Sequence, residues 1–135
     1  MLLLFAKINI AEYFKDCVEE RSIELESRNI ELGYFNYLDD DVIVIADAEQ
    51  LRRVVNNIIG NSTKYMDKKK GIINIRLKDV GDFVQVEIED NGKGIGQKEK
   101  CVHSEIILQM EYITLYYTAF TAKYQWTICK FAKNH

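Results

Sequence analysis

Two neighbouring segments in which polar and apolar residues alternate place the strongest constraint on the fold of this 135-residue chain. They run from Ile72 to Val80 and from Phe83 to Glu89, and Gly81-Asp82 joins them. A period of two residues is typical of a strand with one buried face, and a Gly-Asp pair suits a tight turn. The apolar residues that share a face are Ile73, Ile75 and Leu77 in the first segment and Val84, Val86 and Ile88 in the second. The pattern therefore predicts a β-hairpin.

A strong helix signal precedes this hairpin and begins at Asp47. A carboxylate at this position can accept hydrogen bonds from the free amides of the first turn, and Gln50 stands three residues on, as in a capping box. Positions spaced by three or four residues then form one face: Leu51, Val54, Val55, Ile58, Ile59 and Ser62. This spacing predicts a helix that packs that face on a core, with Gly71 as its breaker.

The residues before Asp47 predict further elements. Lys7–Ile10 suits a short strand or the tail of a helix, and Ala11–Ser27 has the spacing of an amphipathic helix. Ile30–Tyr37 and Val42–Ala46 are rich in β-branched and aromatic residues, and the polar turn between them predicts a second hairpin. The order helix, hairpin, helix, hairpin predicts an α+β fold, a two-layer sandwich with its helices on one face of the sheet.

The length, net charge and cysteine content of the chain limit the classes of function. A chain of this length fits one domain. The net charge of −3 and a pI of about 5.4 leave no basic surface for a nucleic acid, so we expect no nucleic-acid partner. Three cysteines without a C-x-x-C pair favour a reducing compartment, so we expect a cytoplasmic location. The apolar start Met1–Ala6 is too short to span a bilayer or to act as a signal sequence.

Polar side chains on one flank of the second helix suggest chemistry. At about 100° per residue, Asn57, Asn61 and Lys64 fall together beside the apolar face. An amide oxygen is a hard, neutral ligand that suits Mg²⁺, and a lysine supplies a point charge for a phosphate. Tyr65 either lies over a flat ring or packs against the core. Asparagines on helices are often simply solvated, so these residues alone do not define a site.

The second hairpin ends in Asp-x-Gly-x-Gly, which extends the pattern. Asp90 can accept a hydrogen bond from an exocyclic amine such as adenine N6, while Gly92 and Gly94 let the backbone approach a ligand closely. The motif alone is also common in plain turns. Its combination with the preceding helix is far more specific, and it predicts a site between the helix and the strand end.

Two motifs together resemble those of a known family. D-A-E-Q-L-R-R-V-V-N-N-I-I-G-N-S-T-K-Y resembles the N box of the ATP-binding catalytic domain of bacterial sensor histidine kinases, in the GHKL superfamily. E-D-N-G-K-G-I-G resembles its G1 box, and the resemblance covers about residues 8 to 97. It divides the chain into the end of a dimerisation helix (1–8), an ATP-binding domain (9–97) and an atypical tail (98–135).

The resemblance implies a mixed sheet with about three helices, and ATP between the second helix and a mobile lid. Asn61 would bind the Mg²⁺ that bridges the phosphates, and Asn57 would support that site. Lys64 would approach the phosphates and Tyr65 the nucleotide. The implied cofactors are therefore ATP and Mg²⁺.

The G1 box would supply the adenine side of the implied site. Asp90 would recognise the adenine amine, and Gly92 and Gly94 would shape the pocket at the root of the lid. Ile95 belongs to the same group of nucleotide-binding residues.

The residue at position 57 distinguishes branches of the superfamily. Type II topoisomerases, mismatch-repair ATPases and the related heat-shock chaperone have a glutamate there to activate water, whereas Asn57 cannot take a proton. The resemblance thus implies phosphoryl transfer to a histidine on a separate dimerisation domain, with a response regulator as the further partner. His103 and His135 lack the sequence context of that acceptor.

The tail departs from the family. No glycine follows Gly96, so the Gly-rich G2 box that holds phosphate is missing and we expect weak ATP binding. We predict a short helix near Glu99–Met110 and then strands that cover the sheet edge, with strand exchange or aggregation as an alternative. A shifted reading frame is one hypothesis for the tail, which fails if neither other frame of the coding DNA encodes a G-x-G-L-G helix start.

Two other functions stay open. A non-catalytic interaction module with an incomplete nucleotide site would explain the missing G2 box. A hydrolytic GHKL ATPase is the third hypothesis, and Asn57 opposes it.

Overall fold

The computed structural model describes residues 4–39, 41–64, 66–92, 103–106, 113–120 and 125–133. Along these residues the elements are β1 (Ala6–Asn9), α1 (Ile10–Ser27), β2 (Ile30–Asn36), β3 (Ile43–Ala46), α2 (Ala48–Lys64), β4 (Gly71–Asp79), β5 (Phe83–Asp90), β6 (His103–Ile106), β7 (Ile113–Phe120) and β8 (Gln125–Ala132).

Eight strands form two sheets in the described part of the chain. The larger sheet is mixed and has the order β2-β4-β5-β8-β7-β6, in which β2 pairs parallel with β4 and the other neighbours are antiparallel. The smaller sheet pairs β1 antiparallel with β3. An isolated bridge between Val44 and Lys133 connects β3 to the end of β8.

The core lies between the helices and one face of the large sheet. The alternating apolar residues of the β4–β5 hairpin are buried there, with those of α1 and α2: Ile10, Phe14, Leu25, Leu51, Val55, Ile58, Ile59, Ile73, Ile75, Leu77, Val84, Val86 and Ile88. Each large aliphatic side chain that leaves water contributes about 1.5–3 kcal/mol, so burial of these residues stabilises the packing of the helices on the sheet. The predicted hairpin and the predicted sandwich with helices on one face are both confirmed.

Polar residues set the ends of α1. The side chain of Asn9 caps the helix, because the backbone N–H of Glu12 donates to Asn9 Oδ1 at 3.2 Å. The helix ends before Asn29, which has a φ of 58°, a left-handed conformation that asparagine tolerates. The N–H of Gly71 donates to the carbonyl of Asn29 at 3.0 Å, so the end of α1 is tied to the start of β4.

Asp47 caps the start of α2, as predicted. The N–H groups of Glu49 and Gln50 donate to Asp47 Oδ1 at 3.0 and 3.2 Å. Four residues of the predicted apolar face, Leu51, Val55, Ile58 and Ile59, are buried together with Ser62, and Val54 is half-buried. The sequence signals for this helix were local, which is why they located it correctly.

The predicted hairpin between Ile30–Tyr37 and Val42–Ala46 is wrong. Both segments are strands, but β2 pairs with β4, and β3 pairs with β1. A parallel pair needs a crossover connection, and α2 lies on the path between β2 and β4. On the core side β2 also packs on α1, where the Tyr34 hydroxyl donates to the carbonyl of Ala11 at 2.7 Å. Pairing with β4 and packing on α1 therefore override the short polar turn.

The tail contributes three strands to the large sheet. The helix predicted near Glu99–Met110 is wrong over His103–Ile106, which forms β6 and pairs with β7. The rest of that predicted helix lies outside the described residues. The strands predicted after it are confirmed as β7 and β8, and β8 covers the free side of β5. High β-propensity together with an available strand edge decides this outcome.

Candidate nucleotide site

The flank of α2 presents the three predicted polar side chains to solvent. Asn57, Asn61 and Lys64 are all exposed, beside the face that packs on the sheet. Asn57 and Asn61 are one helical turn apart. Neither asparagine takes part in a side-chain hydrogen bond within the described residues, so both amides are available to a ligand.

Asp90, at the end of β5, is joined to α2 by Ser62. The Ser62 hydroxyl donates to Asp90 Oδ2 at 2.6 Å, and each of the two residues is only 3% exposed. The backbone N–H of Gly92 donates to Asp90 Oδ1 at 2.9 Å. Both oxygens of the carboxylate are thus held, one by the helix and one by the motif that follows the strand.

Burial has the largest effect on the ionisation of Asp90. It raises the pKa of the carboxyl group, because the charged form loses water. The donors from Ser62 and Gly92 favour the charged form and partly offset burial, while the charge of Glu89 adds to it. The net pKa lies above the ordinary value for an aspartate, so this group is electrostatically costly to keep ionised.

Asn91 fixes the backbone next to Asp90. The N–H of Ile72 donates to Asn91 Oδ1 at 2.8 Å, and the N–H of Asn91 donates to the carbonyl of Ile72 at 3.2 Å. The Asn91 amide group also donates to the carbonyl of Lys70 at 3.3 Å. The end of β5 is therefore tied to the start of β4, and the position of Asp90 does not depend on its side chain alone.

A charged network lies on the face of the hairpin away from the helices. Arg76 Nε is 3.3 Å from Glu87 Oε1, Arg76 Nη2 is 3.3 Å from Glu89 Oε2, and Lys78 Nζ is 3.2 Å from Glu87 Oε1. Burial acts to raise the pKa of Glu87, but hydrogen bonds from Gln85, Lys78 and Arg76 outweigh it and lower that pKa. Arg76 of this network pairs with Glu89 and so limits the repulsion between the carboxylates of Glu89 and Asp90.

The structure describes five of the eight predicted site residues. Asn57, Asn61 and Lys64 lie on α2. Asp90 is the last residue of β5 and Gly92 follows it, and Ser62 of α2 donates a hydrogen bond to Asp90.

Three predicted site residues, Tyr65, Gly94 and Ile95, lie outside the described residues. Sequence reasoning missed Ser62 and Asn91. Ser62 was assigned only to the packing face. A hydroxyl on the buried face of a helix is the signal that pointed to a buried polar partner.

A family profile matches the part of the chain that contains this arrangement of helix and hairpin. The profile described as "Histidine kinase-, DNA gyrase B-, and HSP90-like ATPase" matches residues 46–122, more than half of the chain. The chain belongs to this ATPase family. The match begins just before α2, includes the helix and the β4–β5 hairpin, and extends past Gly96 into the tail.

Relatives of this ATPase domain include named histidine kinases. Sporulation kinase B of Bacillus subtilis is 28% identical over 91 residues, which cover 62% of this chain and 21% of that protein. Sensor histidine kinase RcsC of Escherichia coli is 31% identical over 71 residues, 51% of this chain and 7% of that protein. The chain thus spans about a fifth or less of the length of these relatives.

A solved structure shares the fold of the ATPase domain along nearly the whole chain. The catalytic domain of histidine kinase ThkA superposes with a TM-score of 0.76 and 16% identity, covering 97% of both chains. The fold is therefore that of a histidine-kinase catalytic domain.

Two further observations concern the described residues of the ATPase domain. Neither of its helices is both long and apolar enough to cross a membrane. No three His, Cys, Asp or Glu side chains in the described ranges are grouped as a metal site would require. The hard oxygen donors on α2 are instead the amides of Asn57 and Asn61.

Proposed function

We propose that this chain is the ATP-binding catalytic domain of a two-component sensor histidine kinase. It positions Mg²⁺–ATP for phosphoryl transfer to a histidine on a separate dimerisation domain. The observation that carries this proposal is the link between Ser62 and Asp90, because it joins the helix with exposed Asn57 and Asn61 to a buried carboxylate.

The adenine side of the proposed site is Asp90. An ionised carboxylate only accepts hydrogen bonds and offers about four acceptor positions. Ser62 and Gly92 use one position on each oxygen, and an exocyclic amine of the base is a suitable further donor. The buried surroundings of Asp90 strengthen such a bond, because little water competes for it.

The phosphate side of the proposed site is the flank of α2. The Asn61 amide oxygen fits Mg²⁺, Asn57 supports it from one turn away, and Lys64 approaches the phosphates. When bound, Mg²⁺ neutralises negative charge on the phosphates during transfer. Tyr65, Gly94 and Ile95 complete the proposed nucleotide contacts.

The residue types favour transfer to another group over hydrolysis. Asn57 stands where a water-activating base would be needed, and an amide does not take a proton. Phosphoryl transfer requires chiefly alignment and charge neutralisation from the protein, so this substitution is compatible with a kinase. We infer that the partners are the dimerisation domain with its acceptor histidine and a response regulator, and that the domain acts in the cytoplasm.

Titration calorimetry with a non-hydrolysable ATP analogue and Mg²⁺ tests the proposal. We expect weak, saturable binding that Asn61→Ala weakens only when Mg²⁺ is present and that Asp90→Asn weakens with or without it. Asn56→Ala is the matched control, since this exposed neighbour accepts a hydrogen bond from Arg21 at 2.9 Å. Binding that neither Asn61→Ala nor Asp90→Asn changes would contradict the proposed site.

A labelling experiment tests the role of a separate acceptor. With ATP labelled at the γ-phosphate, the chain alone should not become phosphorylated, because His103 and His135 lack the context of the acceptor motif. Stable label on this chain would contradict that role.

A second function is favoured by one observation. No glycine follows Gly96, and the tail instead supplies β6, β7 and β8 to the sheet. A non-catalytic interaction module would show cooperative unfolding but no saturable binding of the ATP analogue. A GHKL hydrolase would release phosphate from ATP, and Asn57 opposes it.

A further inference from the structure

We propose that Ser62 is a positioning residue for base recognition, which orients Asp90 and keeps it an acceptor, so that the site selects 6-amino over 6-oxo purines. This inference rests on the proposed function and names a residue that sets the specificity of the same site.

The geometry of Ser62 is unusual for a helical serine. Hydroxyls in helices commonly donate to the carbonyl four residues back, as Thr63 does to Ile59 at 2.8 Å. Ser62 instead donates its single hydrogen across the core to Asp90 Oδ2 at 2.6 Å. Both groups are buried, so the bond is protected from water. The contrast between adjacent hydroxyls indicates that the direction of this donor matters.

The hydrogen bonds that Asp90 already accepts limit which base it can recognise. With Ser62 on one oxygen and the Gly92 N–H on the other, the carboxylate cannot rotate without losing a bond. The acceptor positions that remain suit a ligand that donates. A 6-amino purine donates at this position, whereas a 6-oxo purine presents an acceptor and meets repulsion.

The Ser62 hydroxyl also affects the ionisation of Asp90. Burial and the neighbouring Glu89 both raise the pKa of Asp90, and Ser62 and Gly92 are the donors that oppose them. Arg76 faces Glu89 from β4 and reduces its effect. Without the Ser62 hydroxyl, the neutral acid becomes more populated. A neutral acid carries an O–H, which can donate to a 6-oxo group.

The test compares ADP with inosine diphosphate on the complete chain. The base of inosine diphosphate has a 6-oxo group and an N1–H where the base of ADP has a 6-amino group and an unprotonated N1. For Ser62→Ala we expect ADP affinity to fall about tenfold, the scale of a lost hydrogen bond to a charged group. Affinity for inosine diphosphate should fall much less, so the ratio of the two affinities shrinks. The ratio should fall as the pH is lowered and Asp90 takes up a proton. This fall should begin at a higher pH in Ser62→Ala than in the unchanged chain.

Two variants control the test. Ser62→Thr keeps a hydroxyl and should retain the ratio, while Thr63→Val removes the adjacent hydroxyl and should leave it unchanged. The ratio is informative even if Ser62→Ala is less stable, because partial unfolding lowers both affinities by the same factor.

The outcomes separate this inference from the proposed function. If the unchanged chain prefers ADP and Ser62→Ala keeps the same ratio and pH profile, the role of Ser62 is refuted while the nucleotide site stands. If the unchanged chain binds neither nucleotide, the proposed function and this inference both fail.

Discussion

The carboxylate of Asp47 joins the backbone of Leu4 to the first turn of α2. Asp47 Oδ2 accepts from the N–H of Leu4 at 2.8 Å, while Oδ1 accepts from Glu49 and Gln50. The bond from Leu4 is the largest of the effects that lower the pKa of Asp47. The segment that enters the domain is therefore attached to the helix that carries Asn57 and Asn61.

Replacing Asp47 should destabilise the domain through both bonds. Asp47→Ala leaves the first amides of α2 without their cap and releases Leu4, so the midpoint of thermal unfolding should fall clearly. Asp47→Asn keeps an acceptor for the helix and should cost less. Asp67→Ala is the control, since this exposed carboxylate only pairs with Lys68 on the surface. Equal midpoints for Asp47→Ala and Asp67→Ala would show that the cap is unimportant.

The pKa of the Asp90 carboxyl group is raised, whereas that of Asp47 is lowered. The two groups should therefore make stability depend on pH in opposite senses. Because the folded pKa of Asp90 is raised, its contribution to stability is fully present below the unfolded pKa and is lost as pH rises through the folded pKa. Asp90→Asn should therefore be more stable than the unchanged chain at neutral pH. The difference should shrink in acid, where Asp90 is neutral. Chemical denaturation across this pH range measures it, and a pH-independent difference would contradict the assignment.

The ion pair of Lys133 should hold the ionised form of Asp79. Lys133 Nζ lies 2.8 Å from Asp79 Oδ1 and is the largest cause of the lowered pKa of that carboxyl group. In Lys133→Gln the Asp79 pKa, followed by NMR, should rise and yet stay below its ordinary value, because Gly81 still donates to it. Lys130→Gln, in β8 just before Lys133, is the control, and an equal rise in both variants would rule out a specific pair.

Removing Arg76 should be far more costly than removing an exposed arginine. Arg76→Met leaves the buried carboxylates of Glu87 and Glu89 short of a partner, so the free energy of unfolding should fall by about 3 kcal/mol. Arg52→Met breaks an ion pair with Glu20 in which the Arg52 side chain is 56% exposed and the Glu20 side chain 60% exposed. Its loss should cost about 1 kcal/mol or less. Similar losses in the two variants would mean that the network on the sheet is solvated.

The features that could be predicted from the sequence depend on neighbours along the chain. The start of α2 at Asp47 and the β4–β5 hairpin each follow from residues within one turn or one strand pair. The partners of β2 and β3 could not be predicted in this way, because β2 meets β4 only after α2 has brought the chain back. The strand at His103–Ile106 likewise depends on its pairing with β7.

The candidate site, too, could be predicted only where its features depend on residues close together in the sequence. Asn57, Asn61 and Asp90 were identified from spacing and motif, and the structure places them on α2 and at the end of β5. The bond between Ser62 and Asp90 joins residues 28 positions apart, and a packing pattern alone treats Ser62 as one more core residue. Contacts between distant segments are what a one-dimensional pattern leaves undetermined.

The place of β8 in the sheet has a consequence for how the chain is made. This last described strand inserts between β5 and β7, so the side of β5 away from β4 has no partner until residues 125–132 have been synthesised. A ribosome that has released residues up to Asp90 exposes a strand with unpaired N–H and C=O groups, which is a template for pairing with other chains. Completion of the sheet around Asp90 must therefore wait until residues 125–132 have left the ribosome.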